Sequence, residues 1–118
     1  MKNNNLTPIP LVEAARLMAV SSRTVRRLVD RGDLSAVRIG STLALPPRSL
    51  PVSLQRSLGE RFDRPLLTLL DVAHRLGRPP QEIRDLAETG RLEPIAVGGS
   101  LRWSAVDVDD LLAAEAPS

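Results

Sequence analysis

The sequence contains no cysteine and only one histidine among its 118 residues. Without thiols the chain cannot form a disulfide or a thiolate metal site. His74 has no second histidine or cysteine as a companion, so we expect it to be a surface or packing residue. We find no Ser-His-Asp or Cys-His set and no phosphate-cradling loop. The sequence therefore predicts no catalytic residues, no bound metal, no cofactor and no enzymatic activity.

Long hydrophobic runs are also missing. No apolar stretch approaches the roughly 20 residues that a membrane-spanning helix requires. The first residues, Met1–Asn5, lack the apolar core of a secretory signal. We therefore expect a cytoplasmic protein of a bacterial or phage-infected cell that has no membrane partner.

Lysine is nearly absent, because 15 of the 16 basic residues are arginine. Arginine suits phosphates and guanine edges, although the codon bias of a GC-rich genome would explain its abundance equally well. The net charge of +2 is unevenly distributed. Residues 11–50 contain seven Arg and three acidic residues (net +4), whereas residues 69–118 contain five Arg and nine acidic residues (net −4). The first part is suited to a polyanion and the second much less so.

The chain contains an internal repeat. Residues 67–112 align without a gap on residues 9–54, at an offset of 58 positions; we call residues 9–54 repeat 1 and residues 67–112 repeat 2. The identical pairs are Leu11/Leu69, Ala15/Ala73, Arg26/Arg84, Leu28/Leu86, Gly32/Gly90, Leu34/Leu92, Gly40/Gly98, Leu43/Leu101 and Leu54/Leu112. All of these except Arg26/Arg84 are apolar or glycine positions that a fold needs, so the sequence predicts two copies of one small module.

The pattern within repeat 1 predicts two helices and a hairpin. Apolar spacing indicates a helix over residues 11–18. Ser21 is a predicted N-cap for a second helix, Ser22–Asp30, which Gly32 ends. Residues 34–39 and 43–45 have the composition of hairpin strands. A proline-interrupted stretch follows, and then a helix with Leu54, Leu58 and Phe62 on one face.

Repeat 2 predicts the same order of elements. Thr68 and Asp71 form a capping box before its first helix. Its hairpin is predicted over residues 92–97 and 101–103, and Ser104 caps a last helix that extends to about Ala114. Residues 59–65 are the expected boundary, which gives two modules over residues 1–62 and 63–118.

These motifs resemble the winged helix-turn-helix of excisionases and MerR-type regulators. The matching segments are Glu13–Leu28, Arg31–Leu34, Val37–Gly40, Asp71–Gly77, Ile83–Leu86, Gly90–Leu92, Val97–Gly99 and Trp103–Leu111. The resemblance implies a mainly α fold with short β-hairpins, made of two tandem winged helix-turn-helix modules. It also implies binding of double-stranded DNA, with the second helix in the major groove and the hairpin, or wing, along the backbone.

Carried over residue by residue, the resemblance implies a set of DNA-contacting side chains. In repeat 1 these are Ser21, Ser22, Arg23, Arg26, Arg27, Arg38, Ser41 and Thr42. In repeat 2 they are Arg78, Gln81, Arg84 and Arg102. Arg23 and Arg27 lie one helical turn apart and can both reach base edges, whereas Arg26 is better placed for phosphates.

Repeat 2 departs from the pattern, because Pro79 and Pro80 replace two serines and Asp85 replaces Arg27. It either binds DNA through Gln81 and Arg84 or has become a protein-contact module or a brace. Trp103 is expected in its core rather than in base stacking.

The function predicted is that of a sequence-specific DNA-binding regulator. It would be a phage or mobile-element repressor, a monomer when free, that reads an asymmetric site with two modules. One alternative is an excisionase that bends attachment-site DNA, with an integrase or a second copy on adjacent sites as partner. The alternative from another class is a protein-binding adaptor.

Overall fold

The computed structural model describes residues 7–59 and 63–115 and is mainly helical, with small antiparallel sheets. The elements of the first half are β1 (Ile9–Pro10), α1 (Leu11–Met18), α2 (Ser22–Asp30), β2 (Val37–Ile39), β3 (Thr42–Leu45) and α3 (Val52–Leu58), with a 3-10 turn, Pro47–Ser49, before α3. The elements of the second half are α4 (Leu69–Leu76), α5 (Pro80–Glu88), β4 (Ile95–Val97), β5 (Ser100–Arg102) and α6 (Ala105–Glu115). In the part of the chain so described, no helix combines the length and hydropathy needed to traverse a bilayer.

The helix starts follow the capping residues that the sequence contains. Ser21 accepts a hydrogen bond from the Thr24 backbone N–H at 3.1 Å and so caps α2, as predicted. Before α4, the Thr68 hydroxyl accepts from the Asp71 N–H, and the Asp71 carboxylate accepts from the Thr68 N–H. The predicted capping box is thus confirmed.

Both repeats pair their hairpin strands in the same register. Strand β2 pairs with β3, and β4 with β5, through partners that are related by the offset of 58 positions. The agreement extends beyond the hairpins, because Ile9 pairs with Leu45 and Leu67 pairs with Trp103. The sequence repeat is therefore a structural repeat as well.

Three predicted details differ from the structure. Strand β1 was missed, because a two-residue strand that ends in proline has almost no strand signature of its own. The first strand of each hairpin begins three residues later than predicted, at Val37 rather than Leu34 and at Ile95 rather than Leu92. Leu34 and Leu92 turn into the cores instead and donate their N–H groups to the carbonyls of Leu28 and Leu86. Helix α3 ends at Leu58, and Phe62 lies outside the described residues.

Two hydrophobic cores are present, and the first one crosses the repeat boundary. It contains Leu66 and Val97 together with buried residues of repeat 1, and Ile95 packs against it. The second core lies within repeat 2 and surrounds Trp103. The indole N–H of Trp103 donates to the Leu92 carbonyl, so Trp103 is a core residue, as expected.

The turn of the second hairpin lies directly against α2. A Cβ placed on Gly98 would be 2.9 Å from Thr24 Cγ2 and 3.6 Å from Leu28 Cδ2. Its counterpart Gly40 has a similar positive φ, +63° against +57°, but open space around it. Gly98 is therefore required by a contact between the repeats in addition to its backbone conformation.

This pair of glycines gives a matched test of the contact. Both Gly40→Ala and Gly98→Ala should lose about 1–2 kcal/mol of unfolding free energy, because alanine is strained at positive φ. Gly98→Ala should lose a further 1–3 kcal/mol or so through overpacking against Thr24. Urea unfolding of the two variants measures the difference.

The same measurement contains its own control. Thr24→Ser removes the crowded methyl group but keeps the hydroxyl that lies 3.0 Å from the Ser21 hydroxyl. In a Gly98→Ala background, Thr24→Ser should recover most of the additional loss of unfolding free energy. Equal losses for the two glycine variants would contradict this packing of the hairpin.

Candidate nucleic-acid interface

Helix α2 presents three arginines on its solvent side. Val25 and Leu28 are buried beneath the helix, whereas Arg23, Arg26 and Arg27 are exposed. A helical repeat of 3.6 residues places Arg23 and Arg27 one turn apart on the same face. The predicted helix is found in the structure, and its three arginines lie on the exposed side.

These arginines lack carboxylate partners among the described residues. No Asp or Glu side chain of residues 7–59 and 63–115 lies within 4.0 Å of the guanidinium nitrogens of Arg23, Arg26, Arg27 or Arg38. By contrast, Arg16 donates from Nε to Glu13 at 3.1 Å. This hydrogen bond holds the pKa of Glu13 below its ordinary value. Within the part of the chain that the structure describes, the guanidinium donors of α2 are thus available to bind an anion.

A cleft joins α2 to the hairpin of its own repeat. Arg26, Arg38, Ser41 and Thr42 line this cleft, which has a volume of about 280 Å³ and is also lined by residues at the start of α1. The structure therefore brings together four of the eight predicted residues of repeat 1. Two positively charged side chains facing one cleft make a site suited to a phosphate.

Unlike the arginines of α2, some of the predicted serine and threonine side chains already use their hydroxyl groups in hydrogen bonds within the protein. Ser21 caps α2 and shares a hydrogen bond with the Thr24 hydroxyl at 3.0 Å. Thr42 donates its hydroxyl hydrogen to the Ile39 carbonyl at 2.9 Å. Ser22 is half-buried at the start of α2, while Ser41 is exposed. Of the predicted serine and threonine contacts, Ser41 is the one best placed to reach a ligand.

Repeat 2 uses its arginines to attach its own last helix. Arg78 Nη2 donates to Glu115 Oε1 at 2.7 Å, and Arg75 Nη1 donates to Asp109 Oδ1 at 2.8 Å. Arg91 lies 3.8 Å from the same Glu115 carboxylate. Arg78, which we had expected at a DNA interface, thus has a structural role in the ion pairs that hold α6.

The remaining predicted residues of repeat 2 divide into two kinds. Gln81 donates to the Asp85 carboxylate at 3.1 Å on the exposed side of α5. Arg84 is exposed and lines a cleft between α5 and the second hairpin, the counterpart of the cleft in repeat 1. Arg102 and Glu88 share that cleft with Arg84, so the second cleft has two arginines and a carboxylate where the first has two arginines and no carboxylate.

Arg102 has a partner that the sequence did not reveal. Its Nε and Nη2 both donate to the Ala19 carbonyl, at 3.1 and 2.9 Å, across 83 positions of sequence. Ala19 forms the turn between α1 and α2, and it is the only non-glycine residue at positive φ among the described residues. The counterpart of Ala19 in repeat 2 is Gly77, which adopts the same conformation without strain. Arg102 therefore supports the turn that leads into α2, and we leave it out of the DNA surface proposed below.

Comparison with protein-family models, curated proteins and solved structures finds no match to this chain. Within residues 7–59 and 63–115, no three or more His, Cys, Asp or Glu side chains cluster as metal ligands would. The argument for a function therefore depends on the arginines of α2, the cleft beside them and the charges of the two repeats.

Arg102 and Arg84 provide a matched test of structural against surface arginine. Arg102→Ala should lower the unfolding free energy by about 1–3 kcal/mol, because it leaves the Ala19 carbonyl without its donors. Arg84→Ala should change it by no more than about 0.5 kcal/mol, since its side chain is exposed. Thermal unfolding without any ligand measures both. Equal, small effects would show that the Arg102 contact contributes nothing to the fold.

Proposed function

We propose that the protein is a sequence-specific DNA-binding regulator whose repeat 1 acts as a winged helix-turn-helix. In this proposal α2 enters the major groove and the β2–β3 hairpin lies beside the sugar-phosphate backbone. The observation that carries it is the exposed row of Arg23, Arg26 and Arg27, which have no carboxylate partners among the described residues, next to a cleft that also contains Arg38.

The three arginines of α2 have two different roles in this proposal. Arg23 and Arg27 lie on the face of α2 that points away from the core, where a guanidinium can donate two hydrogen bonds to guanine O6 and N7. Arg26 lies toward the hairpin, where Arg38 faces the same cleft. A phosphate held between a helix and a hairpin fixes the register of the protein on the duplex without reading sequence.

In this proposal repeat 2 supports helix α2 and itself makes few contacts with DNA. Its exposed helix α5 carries Glu82, Asp85 and Glu88, which repel phosphate. Arg78 is held by Glu115, and Arg102 is held by the Ala19 carbonyl. Arg84 is then the one predicted cation of repeat 2 for which no partner is found among the described residues. The proposed site is accordingly asymmetric, with one strong reader in each chain.

The equivalent residues Arg26 and Arg84 test how the two repeats divide this work. DNA duplexes that bind the protein are first selected from a library with a randomised centre. The affinity of the protein for the selected duplex is then measured by fluorescence anisotropy from 50 to 300 mM salt. Loss of one phosphate contact in Arg26→Ala should make the log–log salt slope shallower by about 0.9. Arg84→Ala should leave the slope and the affinity unchanged. A salt-independent wild type, or failure to enrich any duplex, would exclude DNA binding and favour a protein-binding adaptor.

If Arg23 contacts a base, its replacement should reduce both the affinity for DNA and the discrimination between DNA sequences. Arg23→Ala should weaken binding to the selected duplex by about 1–3 kcal/mol and leave binding to a scrambled duplex nearly unchanged. Gln81→Ala, at the equivalent position of repeat 2, is the control and should change neither. Equal weakening of Arg23→Ala on both duplexes would reassign Arg23 to the backbone.

A further inference from the structure

The cleft of repeat 2 is larger than the cleft of repeat 1, and a different set of side chains lines it. Four pairs of equivalent residues line both clefts, namely Leu11/Leu69, Arg26/Arg84, Thr42/Ser100 and Leu43/Leu101. The second cleft is also lined by Ala87, Glu88, Arg102 and Trp103. Its volume is about 410 Å³, against about 280 Å³ for the first. The two copies of one cleft therefore differ in the chemistry that they offer to a ligand.

Apolar side chains of the second cleft form a surface that continues from the core to solvent. Trp103 is buried in the second core, and Leu69 packs against the same core. Leu101, by contrast, is 48% exposed at the edge of the cleft. Ala87 occupies the position of Val29 in repeat 1, so a smaller side chain leaves more room in this cleft. The cleft is suited to an aliphatic or aromatic group of a ligand.

Two opposite charges line this cleft without pairing with each other. Arg84 and Glu88 lie one helical turn apart on α5, and both are exposed. No ion pair joins them, and neither lies within 4.0 Å of another oppositely charged side chain of residues 7–59 and 63–115. Their order along the helix, with the cation first, is the less favourable one for such a pair. A guanidinium and a carboxylate are thus both available to a ligand that carries both charges.

Two helix ends border the same cleft and add partial charges of both signs. Leu69 is the first residue of α4, and a helix N-terminus favours an anion. Glu88 is the last residue of α5, and a helix C-terminus favours a cation. Arg102 adds positive charge, and its guanidinium is held in place by the carbonyls of Ala19 and Leu101. Positive and negative potential are therefore both built into the walls of the cleft.

We propose that the cleft of repeat 2 binds a free α-amino acid with a large apolar side chain, such as leucine or phenylalanine. The carboxylate of the ligand accepts hydrogen bonds from Arg84, and its ammonium group donates to Glu88. Its side chain lies against Leu69, Leu101 and Trp103. This site needs no contact with DNA, so it stands or falls independently of the function proposed for repeat 1.

Other ligands fit these charges less well. Inorganic phosphate has no cationic group for Glu88 and no apolar group for the wall that Trp103 and Leu101 form. A simple organic acid would pair with Arg84 but would bring its carboxylate close to Glu88, where like charges repel. The end of a peptide chain carries only one of the two charges of a free amino acid. The combination of both charges with an apolar wall therefore favours the free amino acid.

The single tryptophan of the chain allows a direct test by NMR titration. Trp103 is the only tryptophan, so the nitrogen–proton correlation spectrum contains one indole signal. L-leucine, or L-phenylalanine in a second series, is added to the full-length, isotope-labelled protein without DNA. The Trp103 indole signal and the Leu101 amide signal should shift and saturate, with a dissociation constant of about 1 mM or tighter. The Leu43 amide signal, in the equivalent cleft of repeat 1, should not shift. Absence of any shift up to about 10 mM of either amino acid would overturn the proposal.

Analogues of leucine test each part of the ligand separately. N-acetyl-L-leucine lacks the ammonium group, L-leucinamide lacks the carboxylate and glycine lacks the apolar side chain. Each should bind at least about tenfold more weakly than L-leucine, because each leaves one wall of the cleft without its partner. Equal binding of N-acetyl-L-leucine and L-leucine would show a plain anion site and would overturn the proposal.

Variants of equivalent residues in the two repeats locate the ligand. Arg84→Ala and Glu88→Gln should each weaken L-leucine binding by about tenfold or more, and Glu88→Gln should not weaken binding of N-acetyl-L-leucine. Arg26→Ala and Asp30→Asn are the matched controls in repeat 1 and should leave L-leucine binding unchanged. All four side chains are exposed, so thermal unfolding should be nearly the same in every variant. Binding that survives both changes in repeat 2, or that the controls weaken equally, would contradict this site.

Discussion

The packing of the second hairpin against α2 is the interaction on which the arrangement of this protein depends. Val97 joins the first core, Gly98 touches Thr24 and Leu28, and Arg102 holds the Ala19 carbonyl. The contacts of Gly98 and Arg102 connect residues 70 or more positions apart in sequence. They fix the helix that carries the exposed arginines from the side opposite its own hairpin. The orientation of α2 is thus determined by both repeats.

The two repeats keep one backbone and use their arginines differently. Strand register and the turn after the second helix are the same in both, because the shared leucines and glycines determine them. In repeat 1 the arginines of α2 have no carboxylate partners in the part of the chain that the structure describes. In repeat 2, Arg75 and Arg78 pair with acidic residues of α6. Exposed ion pairs of this kind contribute little stability each, but they occupy the donors that a phosphate would need.

The sequence was sufficient to predict the helices and hairpins but not the contacts between the two repeats. Ser21, Thr68 and the glycine turns act on neighbouring residues, so local patterns predicted the helices, the caps of α2 and α4 and the presence of both hairpins, although the first strand of each hairpin starts later than predicted. The exposed α2 arginines followed from helical periodicity. The partners of Arg78 and Arg102 lie 37 and 83 positions away, where no local pattern reaches. One signal was present in the sequence. Repeat 1 has Ala19 and Ala44 where repeat 2 has Gly77 and Arg102, and the contact between the repeats is formed by Ala19 and Arg102.

The position of the second hairpin has a consequence for the proposed recognition of DNA. Helix α2 is held on one flank by Val97 and Gly98 and borders its own hairpin cleft through Arg26, so the proposed base contacts are left to the face of Arg23 and Arg27. A helix that is held on two sides loses less conformational freedom when it binds, and this raises affinity without any additional contact to the ligand. Under the proposed function, the acidic repeat would therefore contribute to recognition through rigidity alone. Its negative charge would then be no obstacle, provided that α5 is directed away from the DNA backbone.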